Sequence, residues 1–580
     1  MFSFVFHTTK SKAYIAPFES ILIRLACTHK LQFAIQFEKK IPASKYSFIV
    51  CGVQQAILDF SDAISRELPL SLYFVFDTVL PIENPPKHFF AHPPKRSTKE
   101  SMPSVVQIND FIATYTSSNM RLFSKIYTKL FLSHKNQNKK SNQSLPKKSL
   151  YTSPHKLPSL ISNLINALKN HDSILLHTPR GSLSLNTQTK SEKVLFWDMQ
   201  TIQTFTRVDS VQLSVLASFE KPSMKLCVKD VFRKELLKDN CVEIICMLAF
   251  DPMLMLLGSL AKQEGIEYVF VHKSKNYSQK SLEIGYSLTY ALPKQQLLVC
   301  SKEGTLIENR KSKHTLQAII KHHYPQELRE SSSNENLLDS GQTTTSKRIK
   351  EHQLSYSKQM LTCYLSTKYP SALWTYDGTS FAKLLEVSFS TDVNAMLTRL
   401  EKYYKGADRL IANYKKHFGT ETLNFISESS RVSTNIVDMF GIIAKVLGYC
   451  DKSAPLSQGV QTILSNAKLC LLDKGPRIDY KLIKNDQGVL SLDYPKILRS
   501  CMSFALAGVE KAILCYGILD SLGEFLGNFV RDMEQNYAIK QIFLCGDMLT
   551  HKIFFDKILL YLPRDITLIL PQDGWIDSSL

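Results

Sequence analysis

The chain has 580 residues, 44% of them apolar, with 12 cysteines and a formal net charge of +19. This length and apolar content exclude a disordered chain and a single small module, so several buried cores are expected. The cysteines are scattered and no Cys-x-x-Cys occurs, which excludes a zinc ribbon and a small disulfide framework and points to free thiols in a reducing cytosol.

From the N-terminus, MFSFVFHTTK lacks a basic n-region and a long apolar core, so no secretory leader is expected. In PFESILIRLACTHK, Phe18, Ile21, Leu22, Leu25 and Ala26 share one helical face. KLQFAIQF alternates as a strand and YSFIVCGV is a second. QQAILDFSDAISREL is a second helix that turns Ile57, Phe60 and Ile64 inward, and SLYFVFDTVLPI is a further strand. With an initial strand, this order predicts a compact split-βαβ sandwich.

NPPKHFFAHPPKRSTKE and SHKNQNKKSNQSLPKKSLYTSPHK follow. Both hold too few aliphatic residues to offset ordering entropy and read as linker. Between Pro81 and Leu160 stand 13 Lys/Arg against 3 Asp/Glu, a balance of +10 within the +19. A solvated spacer is the plain reading; contact with an acidic partner, nucleic acid or a membrane surface is the alternative. A short helix is expected between the two runs, at MRLFSKIYTKLFL.

Order resumes with SLISNLINALKNHDSILLHTPRGSLSL, read as a helix, a strand and a Pro-Gly turn, and KVLFWDMQ and DSVQLSVLASF read as strands. VEIICMLAF, DPMLMLLGSLAKQEG and IEYVFVH form strand, helix and strand, so the two strands are expected to run parallel. IICMLAFDPMLMLLGSLA is the best membrane-span decoy, but Asp251 and Pro252 at its centre are costly in lipid, and no span is expected. QQLLVCSKEGTLIENR reads as a hairpin turning at Gly304, and ESSSNENLLDSGQTTTSKRIK as a second linker. Beyond it helix dominates, through FAKLLEVSF, VNAMLTRLEKYYKGADRLIANYKKHFG, NIVDMFGIIAKVLGYC and LGEFLGNFVRDMEQNYA. IKQIFLCGDMLTHKIFFDKILLYLP then returns strand, turn and helix, and ITLIL a last strand.

At Cys545-Gly546-Asp547 a strand reaches a turn before a helix. Glycine lets backbone approach a ligand and a helix N-terminus favours anions, so a nucleotide phosphate is one reading. A plain structural turn is the other, and the charge of Asp547 favours it. Arg180 beside Gly181 offers a cation at another strand end, for an anion or merely in a surface loop. His322 and His323 are adjacent on a helix and diverge, a weak chelate. Cys545 ends a buried strand and reads as a packed thiol. No Walker loop, G-x-G-x-x-G or Ser elbow occurs, so no catalytic constellation and no metal site is expected.

The order of these pieces resembles the HypF-type carbamoyltransferase family, maturation factors that help make the cyanide ligands of NiFe hydrogenase. The resemblance implies an α/β multidomain fold. Residues 1–82 would be an acylphosphatase-like α/β sandwich, and 83–158 a basic linker where the family carries zinc modules. Residues 159–225 would be a reduced YrdC-like segment. Residues 226–328 and 353–580 would be the first lobe and the helical second lobe of an actin/sugar-kinase-like two-lobed carbamoyltransferase-like domain, joined by a flexible linker at 329–352.

AYIAPFES lies where the family has its Gly-rich Phe-Arg loop; Glu19 stands near the place of the catalytic Arg, reversing its charge, and Phe37 near that of an Asn. His177 stands at a family Lys, and Gly181 is kept. FTRVDSVQLSV is similar to an Arg-x-Asp-Asp-Ser-Val strand through Arg207, Asp209, Ser210 and Val211. The family's His-rich metal motif is represented by His272 alone, beside Lys273 and Lys275, which repel a cation. NIVDMFGIIAKVLGY keeps Phe440 and Gly448 of an Arg-Leu-Phe-Asp helix, with Gly441 at the Asp. IFLCGDMLTHKIFFDKILLYL is similar to the Ser-Gly-Gly-Val-Phe-Gln-Asn-Arg turn, with Gly546 kept, Asp547 at the second Gly and His551 at the Asn. PQDGWIDSSL matches the closing segment through Asp573 and Gly574.

The resemblance thus implies a retained nucleotide-site frame at Gly546, Asp547 and Gly574 whose ligand contacts are substituted. No catalytic residue, metal or required cofactor is expected, and residual binding of ATP or ADP is left open. The implied function is an accessory role in NiFe hydrogenase maturation, in the cytoplasm, with the hydrogenase large-subunit precursor or another maturation protein as partner; nucleic acid is not the expected partner. An active ATP-dependent carbamoyl or adenylyl transferase and a tRNA-binding protein are the alternatives.

Overall fold

The computed structural model describes the chain apart from residues 40–42, 84–85, 87, 92–101, 115–126, 134–149, 152–156, 239–240, 273–281, 289, 309, 312–313, 326–358, 426–430, 485–488, 572–574 and 578–580. It divides into two units, Met1–Leu297 and Leu298–Leu580, each with its own apolar core.

The first unit opens with β1 (Phe2–Thr8), α1 (Lys12–Thr28), β2 (Gln32–Glu38), β3 (Ser44–Cys51), α2 (Gln54–Glu67) and β4 (Phe74–Pro81). The strands form an antiparallel sheet in the order β2-β3-β1-β4, the expected split-βαβ sandwich. Alternation on the strands and the apolar stripes of the two helices meet in an aromatic core. Phe6 stacks on Phe74 at 4.6 Å, Phe4 meets Phe60 edge-on at 5.2 Å, and Phe18 lies 5.0 Å from Phe74.

A second sheet occupies the rest of this unit. Its strands lie in the order Ser223–Cys227, Glu243–Leu248, Lys193–Phe196, Tyr268–His272, Gly181–Asn186, Ile174–Thr178, Leu282–Leu288, Tyr127–Ser133 and Leu150–Tyr151. Glu220 ties it to the sandwich. This carboxylate is 3% exposed and accepts from the Tyr14 hydroxyl, from Ser71 Oγ at 2.6 Å and from the Leu72 amide at 3.0 Å. A buried carboxylate so fully satisfied is held in place rather than penalised.

Four expectations fail in this sheet. DSVQLSVLASF is not a strand: Ser210–Ala217 is a helix. Asp209 accepts the Gln212 amide at 2.8 Å and Gln212 Oε1 accepts the Asp209 amide at 3.1 Å, a capping box that outweighs the β-branched residues that follow. The strands Glu243–Leu248 and Tyr268–His272 are not parallel neighbours. Lys193–Phe196 lies between them, parallel to the first and antiparallel to the second. Leu248 and Tyr268 both face Phe196, so the chain leaves and re-enters at the same end of the sheet and the helix need not carry it back along the strands.

The stretch expected as linker carries a helix, Val105–Ala113, with a capping box at Ser104 and Phe111 buried, and the described part of MRLFSKIYTKLFL is the strand Tyr127–Ser133, paired with Leu282–Leu288. Its basic composition conceals two short apolar runs. Strands from residues 174–196 and 223–288 interleave in one sheet. Strand order depends on non-local pairing, which local patterning does not encode. The expected second linker, 329–352, lies outside the described residues.

In the second unit, the strand Leu297–Ser301 turns at Gly304 into Gly304–Glu308, the expected hairpin. A five-stranded sheet has the order Phe381–Lys383, Ala372–Tyr376, Met360–Tyr364, Gln541–Cys545 and Thr567–Ile569. The first three are antiparallel and the last three parallel, and Phe381–Lys383 is a strand rather than part of the helix expected at FAKLLEVSF, because its backbone pairs with Trp374–Tyr376. Helices between Val393 and Leu506 are inserted between its third and fourth strands in chain order. Two of them, Asp438–Val446 and Leu456–Ala467, cross so closely that a Cβ on Gly441 would stand 2.6 Å from the Leu456 carbonyl, which explains a glycine where the resembled family has Asp.

Lys511–Tyr537 is the one helix among the described residues long and apolar enough to cross a membrane, and 78% of its apolar window is buried inside the unit. It packs on Lys552–Tyr561 around a buried ion pair. Lys557 Nζ lies 3.3 Å from Asp520 Oδ1 and donates to the Asp473 carbonyl at 2.6 Å; the Tyr561 hydroxyl donates to Asp520 at 3.0 Å. Removing one partner strands a buried charge, so Asp520→Ala is expected to cost about 3–5 kcal/mol in urea unfolding. Truncating Glu524, whose partner Arg477 is 76% exposed, should cost under about 1 kcal/mol.

A second test concerns Asp251, which caps the helix Pro252–Gln263. It is 1% exposed, accepts the Leu254 amide at 3.0 Å and the Tyr286 hydroxyl at 2.7 Å, and burial pushes its pKa up from 3.8 to about 6. Because the folded pKa is the higher one, the folded chain keeps a proton that the unfolded chain releases, and stability falls as pH rises from about 4 to 6. Unfolding free energy should therefore fall between pH 4 and 7 by on the order of 2–3 kcal/mol more in the wild type than in Asp251→Asn.

Candidate functional site

In an open sheet with parallel strands, ligands gather at the carboxyl ends where successive connections leave in opposite directions. In the second unit that point lies between Met360–Tyr364 and Gln541–Cys545. Tyr364 pairs with Cys545, so Leu365-Ser366-Thr367-Lys368 and Gly546-Asp547 emerge side by side. The Gly546 turn therefore sits where a nucleotide site on this sheet would be.

The turn is filled by the chain itself. Gly546 has φ +107°, and a Cβ there would lie 1.9 Å from the Leu365 carbonyl oxygen. The close approach that glycine permits is made by backbone, not by a ligand. The Leu365 amide donates to Cys545 O at 3.1 Å and the Met548 amide to Leu365 O at 3.2 Å, which closes the junction from both sides. Asp547 then takes the two donors of Thr367. Its Oδ1 accepts the Thr367 amide at 2.6 Å and its Oδ2 the Thr367 hydroxyl at 2.7 Å, with Lys368 Nζ 3.8 Å away. An internal carboxylate thus holds the donors exposed at the ends of these two strands. The sequence-expected helix start is displaced too: a single 3-10 turn, Asp547–Thr550, precedes the helix Lys552–Tyr561, so that helix does not aim its N-terminus from Gly546.

Behind this lock lies a buried polar network. Asn435 Nδ2 donates to Ser366 O at 2.9 Å, its Oδ1 accepts Ser371 Oγ and the Val437 amide at 3.0 Å each, and Ser371 Oγ accepts the Ile436 amide at 3.0 Å. Ser433 Oγ donates to Asp438 Oδ2 at 2.7 Å, partly offsetting the burial that pushes the Asp438 pKa up. Satisfied networks of this kind rigidify and specify geometry. Their function here is to fix the Ser366–Thr367 loop under Asp547. Thr367 and Asn435 were not singled out from sequence; the available signal was a hydroxyl-rich Ser366-Thr367 directly after an apolar strand.

The other candidates disperse. Asp573 and Gly574 lie outside the described residues. Cys545 is 2% exposed and burial raises its pKa, as expected of a packed thiol. Glu19 accepts the Tyr46 hydroxyl at 3.1 Å inside the sandwich. His177 is engaged at both ring nitrogens, by Ser182 and Glu283 at 2.7 Å each. His272 Nε2 meets the Thr189 carbonyl at 2.9 Å, and His323 Nδ1 the Ile319 carbonyl at 2.9 Å. Among the described residues no three His, Cys, Asp or Glu side chains come together to hold a metal ion. Arg180 is not in a free surface loop: its guanidinium donates to the carbonyls of Glu220 at 2.7 Å and Lys221 at 3.1 Å.

Asp547→Ala is expected to cost about 1–3 kcal/mol in chemical denaturation, because the Thr367 amide and hydroxyl lose their acceptor. Hydrogen exchange at the Thr367 amide should accelerate with it, and Asp547→Asn should fall between.

No protein-family model matches the chain. Protein HydE of Wolinella succinogenes is 27% identical over 592 residues, covering 99% of both chains. The crystal structure of full-length HypF, solved in a phosphate- and nucleotide-bound form, aligns with a TM-score of 0.51 at 12% identity, over 99% of this chain and 97% of that one. At that identity the alignment speaks for the fold. The chain is therefore a HypF-like protein by fold, and it resembles HydE from end to end.

Proposed function

We propose that this chain is an accessory protein for the maturation of NiFe hydrogenase, and that it works by binding rather than by carbamoyl transfer. The similarity to HydE along the whole length supports the pathway. The capture of Thr367 by Asp547 carries the second half of the reading, since the donors that would receive a phosphate are already spent on a side chain of the same fold. A frame of this kind persists because its burial maintains it, while site residues are exchanged at little cost to folding. The partner is the hydrogenase large-subunit precursor or another maturation protein, met in a reducing cytosol where all twelve thiols stay free. No metal and no nucleotide is required for this role.

Deleting the gene should lower NiFe hydrogenase activity, and complementation with the wild-type chain should restore it; unchanged activity in a clean deletion refutes the pathway. Calorimetry with magnesium ATP and carbamoyl phosphate should show neither binding nor turnover. Micromolar binding with turnover would replace the scaffold by an active transferase.

A further inference from the structure

The first unit contains a cavity of about 830 Å³, within the range that takes a drug-sized ligand. Its wall is mostly apolar, with Trp197, Phe219, Phe250, Met255 and Leu292 among the larger side chains. Two polar groups in that wall can still take a further partner. Tyr290 is 7% exposed, and its hydroxyl makes no hydrogen bond among the described residues. Lys221 donates to the Ala217 carbonyl at 2.7 Å but forms no ion pair among the described residues, and burial pushes its pKa down to about 8. Both stand near enough to Arg180 to feel its charge.

Lys221 has φ +41°, at a turn that its amide closes on the Ser218 carbonyl at 3.0 Å. Arg180 braces this turn: its guanidinium donates to the carbonyls of Glu220 and Lys221 and lies 4.7 Å over the Phe250 ring. The charges of the wall define the occupant. Arg66, Lys221 and Lys262 face two carboxylates, Asp198 and Asp251. Lys262 and Asp198 neutralise each other at 2.6 Å, and Asp251 is already satisfied by Leu254 and Tyr286. Lys221 has no ion-pair partner among the described residues beyond the more distant attraction of Glu220, and the Tyr290 hydroxyl lines the same cavity. A carboxylate in the cavity would answer the cation and offer the hydroxyl an acceptor. A nucleoside triphosphate, with about four charges, would bring more anion than this wall can pair.

We infer that this cavity binds a small amphipathic carboxylic acid, a monoanion with an aromatic or aliphatic body, with the Lys221 ammonium and the Tyr290 hydroxyl donating to its carboxylate. The inference stands apart from the hydrogenase reading, because it rests on the first unit alone.

The test uses full-length protein and 1-naphthoate, decanoate, 1-naphthalenemethanol and ATP as probes, followed by calorimetry and by the fluorescence of Trp197. Naphthoate or decanoate should bind, and the neutral alcohol at least about tenfold more weakly, the discrimination expected when a charged hydrogen bond is lost. Lys221→Met should weaken naphthoate by about tenfold or more while leaving the alcohol unchanged, and Tyr290→Phe should weaken naphthoate by several-fold. Tyr290→Phe removes one oxygen, so it keeps the test open if Lys221→Met does not fold. No binding of either acid overturns the inference, as does binding indifferent to Tyr290→Phe. ATP displacing naphthoate at lower concentration than decanoate would overturn the monoanion assignment.

Discussion

The arrangement in the second unit depends on one contact, a carboxylate answering a backbone amide and a hydroxyl across 180 residues of chain. Asp547 and Thr367 end two parallel strands at the point of the sheet where an anionic ligand would sit. Once Asp547 occupies that position, the hairpin loop, the Gly546 turn and the Asn435 network become parts of a single closed junction. The same contact that strengthens the junction engages the amide and hydroxyl of Thr367.

The first unit shows the complementary case. Glu220 and Asp251 are buried acids whose partners are supplied by the fold, whereas Lys221, held by the Ala217 carbonyl, and Tyr290 line a cavity in the same unit. A HypF-like frame can thus keep its layers while the places at which it meets small molecules change, because packing and site chemistry are carried by different residues.

Much of this was legible in the sequence wherever the determining interactions are local. The first sandwich follows from strand alternation in KLQFAIQF and YSFIVCGV and the helical stripe Phe18, Ile21, Leu22, Leu25. The helix Ser210–Ala217 was missed although its signal, Asp209 three residues before Gln212, was present; the apolar density that follows drew the eye to a strand. The strand order of the second sheet and the antiparallel return after Pro252–Gln263 were not legible, since both depend on Lys193–Phe196 inserting between its neighbours. At the candidate site, Gly546 and Asp547 were visible as a turn with an adverse charge. What that charge does was not visible, because its partner Thr367 lies far upstream and nothing in the intervening residues announces the pairing.

The most direct test of the central claim is a crystal structure of the protein grown in the presence of magnesium ATP. The account predicts that the Thr367 amide and hydroxyl remain on Asp547 and that no phosphate lies at the ends of Met360–Tyr364 and Gln541–Cys545. A phosphate bound to Thr367, with Asp547 turned aside, would contradict it.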